Sequence, residues 1–429
     1  MVHLLCTTTR ILWVKVMKLK WLYNIVMYGY GLCIAVVSLW SKKAKLWIDG
    51  RKGIFERLKT SIDHDAPIIW VHVASLGEFE QGRPIIEKIR SEQPKYKVLL
   101  TFFSPSGYEI RKNYQGADNI FYLPLDTPSN ARKFIDIVQP QMAIFVKYEF
   151  WMNYLKQLRV RKIDTYMVSA IFRRNSIFFH PIGGLWREAV RGFKAIFVQD
   201  AHSKELLKEL KCTNVVVAGD TRFDRVAQIA AAAKRIEKVE QFKGAYSLLV
   251  AGSTWDRDEE LIVELANDNP TVKFIIAPHE MDDNRMAKIE QSANNGAARY
   301  TQADNEQLAK SQILILDTIG ILSSVYGYAD FAYIGGGFGV GIHNTLEAAT
   351  FGLPIAFGPK YQKFKEACDM VSLGAATSIT NYDELKEWFY PLNTESKYHS
   401  YVCQLSKEYT RKNQGATDIF FKVAGLTKR

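Results

Sequence analysis

Residues 326–359 read YGYADFAYIGGGFGVGIHNTLEAATFGLPIAFGP. The apolar run Phe331 to Ile334 predicts a buried strand, and Pro354 to Phe357 predicts a second. Between them lie Gly335, Gly336, Gly337, Gly339 and Gly341, then a short helix. Strand, glycine-rich turn, helix and strand belong to an α/β fold. Glycine admits positive φ and close approach of a ligand. A helix N-terminus offers free N–H groups to a phosphate. Asn344 followed by Glu347 fits an N-cap with its capping-box partner. The stretch therefore reads either as a nucleotide or sugar-phosphate cradle or as an architectural turn. It is not the dinucleotide fingerprint: aligned on Gly335 and Gly337, the last glycine position holds Val340. Nor does it contain a P-loop.

Working outward, short apolar runs alternate with helical patterns along the whole chain, as in parallel sheets. Strands are expected at Ile68 to Val73, Lys97 to Phe102, Met142 to Val146, Thr165 to Val168, Ala195 to Val198 and Asn214 to Val217. In the second half they are expected at Ser247 to Ala251, Val272 to Ala277, Ile313 to Leu316, and the two already named. Residues 225–244 show no strand pattern and read as a linking helix. The domains expected are an N-terminal extension at 1–48, a Rossmann-like domain at 49–225, a linker at 226–244, and a second Rossmann-like domain at 245–429. The last helices have the option of packing back on the first domain. Two such domains face each other across a cleft, with ligands at the carboxyl ends of the strands.

The chain has 429 residues and a net charge of +11. The first 60 residues hold eleven Lys and Arg against two Asp and Glu, which is +9 of that total. The excess is local, which argues against a nucleic-acid partner. The same region contains Trp21 to Trp40, twenty residues without a formal charge. A helix of that length matches the hydrocarbon core of a bilayer. Lys15, Lys18 and Lys20 precede it; Lys42, Lys43, Lys45, Arg51 and Lys52 follow it, the larger cluster placing the body of the protein in the cytoplasm. Spanning, lying in the interface and forming a first core helix all remain open. Met17 is a plausible initiator. The five cysteines form no C-x-x-C pair, and no H-E-x-x-H occurs, so neither a disulfide framework nor a metal site is expected.

Several constellations follow strand ends. Ser75-Leu76-Gly77-Glu78 puts a carboxylate where a general base would act, or where an acid complements a helix dipole. Lys147 to Asn153 follows another strand. Gly219 to Asp224 carries Arg222, which can meet an anion or pair with Asp224. Pro278 and His279 follow the strand from Val272. Asp256-x-Asp258 reads as a metal–nucleotide motif or as acid in a helix first turn.

In order and spacing these motifs resemble the 3-deoxy-D-manno-octulosonic acid (Kdo) transferases, glycosyltransferases of GT-B architecture in lipopolysaccharide synthesis. The family pattern S-V/L-G-E matches Ser75 to Glu78, and E-L-W-P-N appears as Glu149-Phe150-Trp151-Met152-Asn153. G-N/D-x-K/R-F/Y-D matches Gly219 to Asp224, and D-T-M/I-G matches Asp317 to Gly320. The opening stretch matches through Gly341 to Ala349 and Gly358-Pro359. The resemblance implies transfer of Kdo from CMP-Kdo to a hydroxyl of the lipid A precursor (lipid IVA), with inversion and without a metal or cofactor. It makes the first domain the acceptor domain and the second the CMP-sugar domain, on the cytoplasmic side of the inner membrane. Glu78 matches the general base. Donor contacts map to Pro278, His279, Ile319, Gly320, Ile321, Asn344, Thr345, Leu346 and Glu347. The acceptor side maps to Ser75, Gly77 and Glu149, with Arg173 and Arg174 as further residues.

The sequence departs from the family where His279 replaces an arginine, Ile321 a glutamate and Lys147 an acid. Ser169-Ala170-Ile171 replaces an N-A-R segment, and the glycine turn is one residue shorter. The alternatives are a GT-B enzyme using a UDP-sugar and a GT-B-like membrane binding protein without activity.

Overall fold

The computed structural model describes residues 2–427, with side chains from residue 19 onward. Lys15, Met17 and Lys18 lie outside the described side chains. The chain divides into two compact units, residues 1–225 with 415–429, and residues 226–414.

The first unit is built on a parallel sheet of seven strands: β1 (Ile68–Val73), β2 (Lys97–Phe102), β3 (Asn119–Tyr122), β4 (Met142–Val146), β5 (Asp164–Ala170), β6 (Ala195–Val198) and β7 (Val215–Val217). Their order is β3-β2-β1-β4-β5-β6-β7. The second unit holds β8 (Ser247–Thr254), β9 (Val272–Pro278), β10 (Ala297–Arg299), β11 (Ile313–Ile315), β12 (Phe331–Ile334), β13 (Ile355–Phe357) and β14 (Ala376–Ser378). Here the order is β10-β11-β9-β8-β12-β13-β14. In each sheet the first strand lies inside. The chain moves from it toward one edge, then returns to build the other. The reversal falls between β1 and β4, and between β8 and β12. Open α/β sheets bind ligands outside the carboxyl ends of the strands at such a point.

The central strands are continuous Val/Ile/Leu/Phe runs because helices cover both faces. All six residues of β1 are buried, as are all seven of β9. The edge strands β3, β10 and β14 were not expected from the sequence. An edge strand pairs on one side only, and NIFY, AAR and ATS are too short or too polar to stand out. Ser169 and Ser253 have positive φ, 53° and 54°. Each lies where the strand register shifts, in β5 and β8; a bulge re-aims the strand end.

Residues 226–244, expected as a linker, carry the end of helix Thr221–Ala231 and helix Glu237–Lys243. Val239 and Phe242 of the latter are buried, so the segment is part of the second unit's packing. The last helix, Ala416–Ala424, joins the first unit. Phe420 and Phe421 pack with Ile69, Val71, Ile86 and Phe197. Asp224 holds its start, accepting from the backbone N–H groups of Gly415 (2.6 Å) and Thr417 (2.7 Å).

The N-terminal helix Val2–Val37 contains one stretch, Leu19–Val37, long and apolar enough to cross a membrane. One of its faces is tied to the first unit. The Tyr23 hydroxyl donates to Asp126 (2.6 Å), Asn153 donates to Asn24 (2.9 Å), and Lys20 pairs with Glu188 (3.2 Å). Met27 is buried, and Gly31 lies against Leu125. The other face leaves Trp21, Leu22, Ile25, Val26, Leu32 and Val36 exposed. Of the expected basic flank, Lys42, Lys43 and Lys45 are exposed. Arg51 turns inward: it stacks on Trp47 at 3.7 Å and donates to the carbonyls of Leu123 and Phe103.

Candidate functional site

In the first unit, two carboxylates come from the loops after β1 and β4. Ser75 caps helix Leu76–Glu92, its side chain accepting from the N–H of Glu78 (3.5 Å). Glu78 sits in the first turn, and its carboxylate accepts from the N–H of Ala74 (2.5 Å). Burial, and then the negative charge of Glu149, push the Glu78 carboxyl up to about 7. Two backbone N–H groups and the charge of Lys147 act the other way. A residue serving only the helix dipole would gain by staying ionised and solvated. This one pays an electrostatic cost of the kind found at functional sites.

Glu149 reaches its position through a sharp turn, Lys147 standing in the left-handed region with φ 62°. Its Oε2 is 3.2 Å from Nε2 of His72 and 2.7 Å from Nε1 of Trp151. His72 was not singled out from sequence. The available signal was a lone imidazole in the fully buried strand β1, which requires a polar partner. Register supplies one: His72 lies opposite Thr101 of β2. Beside Glu149 opens a hollow of about 450 Å³ lined by Tyr148, Phe150, Trp151, Ile177, Phe178 and Trp186 among others.

The other first-unit residues divide. Gly77 is exposed beside Glu78, with open space where a Cβ would stand. Arg173 is exposed on the loop after β5. Arg174 is turned to Glu209 in a two-pronged ion pair. Arg222 pairs with Asp220 (2.8 Å), which also accepts from Gln81 of helix Leu76–Glu92 (3.0 Å).

In the second unit, Pro278 ends β9 and His279 stands exposed after it. His279 stacks on His343 with ring centroids 4.3 Å apart, and on Trp255 at 5.0 Å. Trp255 follows β8 and donates from its indole to His343 (3.2 Å). Burial, then the neighbouring His279, push the His343 imidazole down. Trp255, His279 and His343 were not read together from sequence, because they lie on three separate loops.

The capping box expected at Asn344 takes another form. The helix is a single turn, Leu346–Ala349, with Thr345 at its N-cap. Asn344 accepts from the N–H of Leu346 (3.1 Å), two residues on, as in an Asx turn. Glu347 does not reach back to backbone. Its carboxylate accepts from the Asn344 amide (2.9 Å) and from the Ser323 hydroxyl. Ser323 belongs to helix Leu322–Val325, directly after Ile319, Gly320 and Ile321, so Glu347 ties that segment to the one carrying Asn344. Thr345 is buried, and its hydroxyl has no hydrogen-bond partner. The apolar side chains of Ile319 and Val340 are 88% and 90% exposed.

Gly335 and Gly337 serve packing. A Cβ on Gly335 would stand 2.3 Å from the Ser253 carbonyl, and one on Gly337 would stand 2.5 Å from Cα of Gly358. Chain crossing, more than ligand approach, demands glycine there. Asp258 is likewise committed: it accepts from the N–H groups of Trp255 and Gly336 (both 2.9 Å) and from the Tyr333 hydroxyl (2.7 Å). Asp256 pairs with Arg285 (2.7 Å). Asp258 thus braces a helix start against the glycine turn, while Asp256 is held by Arg285.

Comparison with known proteins fits this arrangement. Residues 51–225 match the family model described as 3-deoxy-D-manno-octulosonic-acid transferase (kdotransferase). The chain is 27% identical over 334 residues to the 3-deoxy-D-manno-octulosonic acid transferase of Aquifex aeolicus (strain VF5), covering 76% of this chain and 86% of that one. It is 25% identical over 369 residues to the enzyme of that name from Bordetella pertussis, covering 81% and 85%. In fold it is similar to the UDP-GlcNAc 2-epimerase of Neisseria meningitidis (TM-score 0.60, 15% identity, 84% of this chain and 100% of that one). It is also similar to MurG of Acinetobacter baumannii (TM-score 0.52, 13% identity, 84% and 100%). Both likenesses are of fold, the GT-B architecture. Residues 51–225 thus carry a Kdo transferase family domain, relatives of that name extend over most of the chain, and the chain is a glycosyltransferase.

Proposed function

We propose that the protein transfers Kdo from CMP-Kdo to a hydroxyl of the lipid A precursor lipid IVA, with inversion and with Glu78 as general base. The observation that carries this is the elevation of the Glu78 carboxyl to about 7 beside Glu149. A base acts best when its pKa lies near the working pH. Glu78 takes the acceptor hydroxyl proton while that oxygen bonds to the anomeric carbon of Kdo. The bond from that carbon to the phosphate oxygen breaks, and CMP leaves with the electron pair. Pro278, His279, Ile319, Gly320, Ile321, Asn344, Thr345, Leu346 and Glu347 hold the donor. The Glu347 carboxylate suits ribose hydroxyls, and the unpartnered Thr345 hydroxyl can donate to phosphate. Ser75, Gly77 and Glu149 serve the acceptor side. The aromatic hollow suits the faces of its sugar rings, and exposed Arg173 its phosphates. CMP-Kdo is a co-substrate, and the reaction as proposed calls for no metal or cofactor.

The protein works at the cytoplasmic face of the inner membrane, with the stretch Leu19–Val37 lying in the interface. Polar ties on one face of this helix and bare apolar residues on the other support a helix immersed to half its depth. Lys42, Lys43 and Lys45 then meet anionic headgroups.

The test is mass spectrometry of products from purified protein, lipid IVA and either CMP-Kdo or UDP-sugars. Expected is Kdo addition from CMP-Kdo alone, reduced about 10²–10⁴-fold by Glu78→Gln. Full transfer by that variant, or transfer only from a UDP-sugar, defeats the proposal.

A further inference from the structure

Helix Met152–Val160 opens directly after Glu149, Phe150 and Trp151, yet its own sequence supplies no cap. Trp151 stands at the N-cap position and makes no capping bond. The first N–H groups of a helix have no partner within it, and Asn153 and Tyr154 are buried. Their partner comes from elsewhere in the chain. Asp126, on the loop between β3 and helix Pro128–Val138, accepts from the N–H of Asn153 at Oδ2 (3.0 Å) and from the N–H of Tyr154 at Oδ1 (3.1 Å). These are the second and third helical residues, the ones that a local N-cap side chain serves. The carbonyl of Asp126 accepts in turn from the Asn153 amide (2.7 Å), and that of Pro124 from the Tyr154 hydroxyl (2.9 Å).

Asp126 has no exposure, and burial pushes its carboxyl up to about 6. Hydrogen-bond donors offset that burial. The third donor is the Tyr23 hydroxyl of the N-terminal helix, 2.6 Å from Oδ2. The next residue, Asn24, accepts the second N–H of the Asn153 amide (2.9 Å). Three residues before Tyr23, Lys20 pairs with Glu188 (3.2 Å), which also pairs with Arg159 near the far end of helix Met152–Val160 (2.8 Å). Farther along the N-terminal helix, Tyr30 stacks on Phe103 at 6.1 Å, and Phe103 lies against Trp151 at 4.4 Å. The N-terminal helix thus reaches the start of helix Met152–Val160 by two routes, one polar through Asp126 and one aromatic through Phe103. Lying in a membrane interface requires neither route, only an apolar face and neighbouring cations. A buried polar network whose members are all satisfied fixes one geometry.

We propose that Asp126, locked by Tyr23 and Asn24, is a positioning residue for the acceptor side: it caps the helix start and so fixes Trp151, which donates to Glu149 and lines the aromatic hollow. The inference rests on the reading above for the acceptor role of Glu149 and the hollow, and not for the cap. The N-terminal helix is then a working part of the acceptor side as well as an anchor.

Tyr23→Phe keeps the ring and removes the hydroxyl that holds Asp126. The first measurement is backbone hydrogen exchange on the full chain in detergent. The amides of Asn153 and Tyr154 are expected to exchange about tenfold faster than in wild type, while those of helix Leu76–Glu92 keep their rates. The second is kinetics with detergent-dispersed lipid IVA. Its KM is expected to rise about fivefold, with KM for CMP-Kdo within about twofold of wild type. Asn24→Ala should move both readings the same way by less, and it serves should Tyr23→Phe fail to fold. A variant merely destabilised would speed exchange everywhere and lower the active fraction, leaving both KM values as they were. That pattern overturns the proposal, as do wild-type exchange rates at Asn153 and Tyr154, or an unmoved KM for lipid IVA. A wild-type chain that transfers no Kdo defeats the reading above, and exchange at the two amides still decides the lock.

Discussion

The two units carry the same kind of seven-stranded parallel sheet, yet they make their carboxyl-terminal edges from different materials. In the first unit the edge is electrostatic: Glu78 and Glu149 are set close, one raised toward neutrality by burial and by the other. In the second unit the edge is steric. Backbones cross at Gly335 and Gly337 with no room for a side chain, and Asp258 bolts the crossing to a helix start. The difference teaches where each half is fragile. At its Glu78–Glu149 edge the first should respond most to changes of charge. At Gly335 and Gly337 the second should respond most to changes of shape.

Three substitutions can break or sharpen that contrast. The largest effect on folding is expected from Gly337→Ala, whose Cβ would meet backbone at Gly358 rather than a side chain that can move. A loss of about 1–3 kcal/mol or more is expected in urea unfolding, independent of pH. Next is Glu78→Gln, which should stabilise the protein on the order of 1–2 kcal/mol, but only in one pH range. Below the ordinary carboxylate value of 4.5 both states hold the proton and the variant gains nothing. Between there and about 7 the unfolded chain releases the proton while the native site keeps it, so the wild type loses stability as pH rises. Above about 7 the loss is complete, and the gain in melting temperature should be flat. A gain that is the same at pH 4 and pH 8 would show that the carboxyl is not elevated. The smallest effect is expected from Gly77→Ala, which adds a methyl group to open space. Stability should stay within about 0.5 kcal/mol of wild type, while KM for the acceptor rises if that space receives substrate.

What the sequence disclosed follows the same division. The central strands were legible because a strand covered on both faces must be an apolar run, and β1, β2, β4, β6 and β12 have the expected bounds. The edges β3, β10 and β14 were hidden because half-covered strands need no such run. Glu78 and Glu149 stood out as acids directly after buried strands. His72 did not, since its partners Thr101 and Trp151 are brought to it by register and by a loop. The glycines were visible, but their physical reason was not: only the crossing of Ser253 and Gly358 against them shows that packing requires them. Asn344 and Glu347 carried a capping spacing, yet the helix begins later and Glu347 turns to Ser323 instead.

The placement of helix Ala416–Ala424 has a consequence for how the chain is made. Residues 226–414 are an insertion within the first unit, entered at one point and left at another. While the protein is being synthesised, the first unit therefore waits for the last segment. Until residues past 414 emerge, the surface that Phe420 and Phe421 cover stays bare, and Asp224 lacks the N–H groups it will hold. A fragment cut at residue 225 would carry both carboxylates and the whole first sheet, but with an open flank.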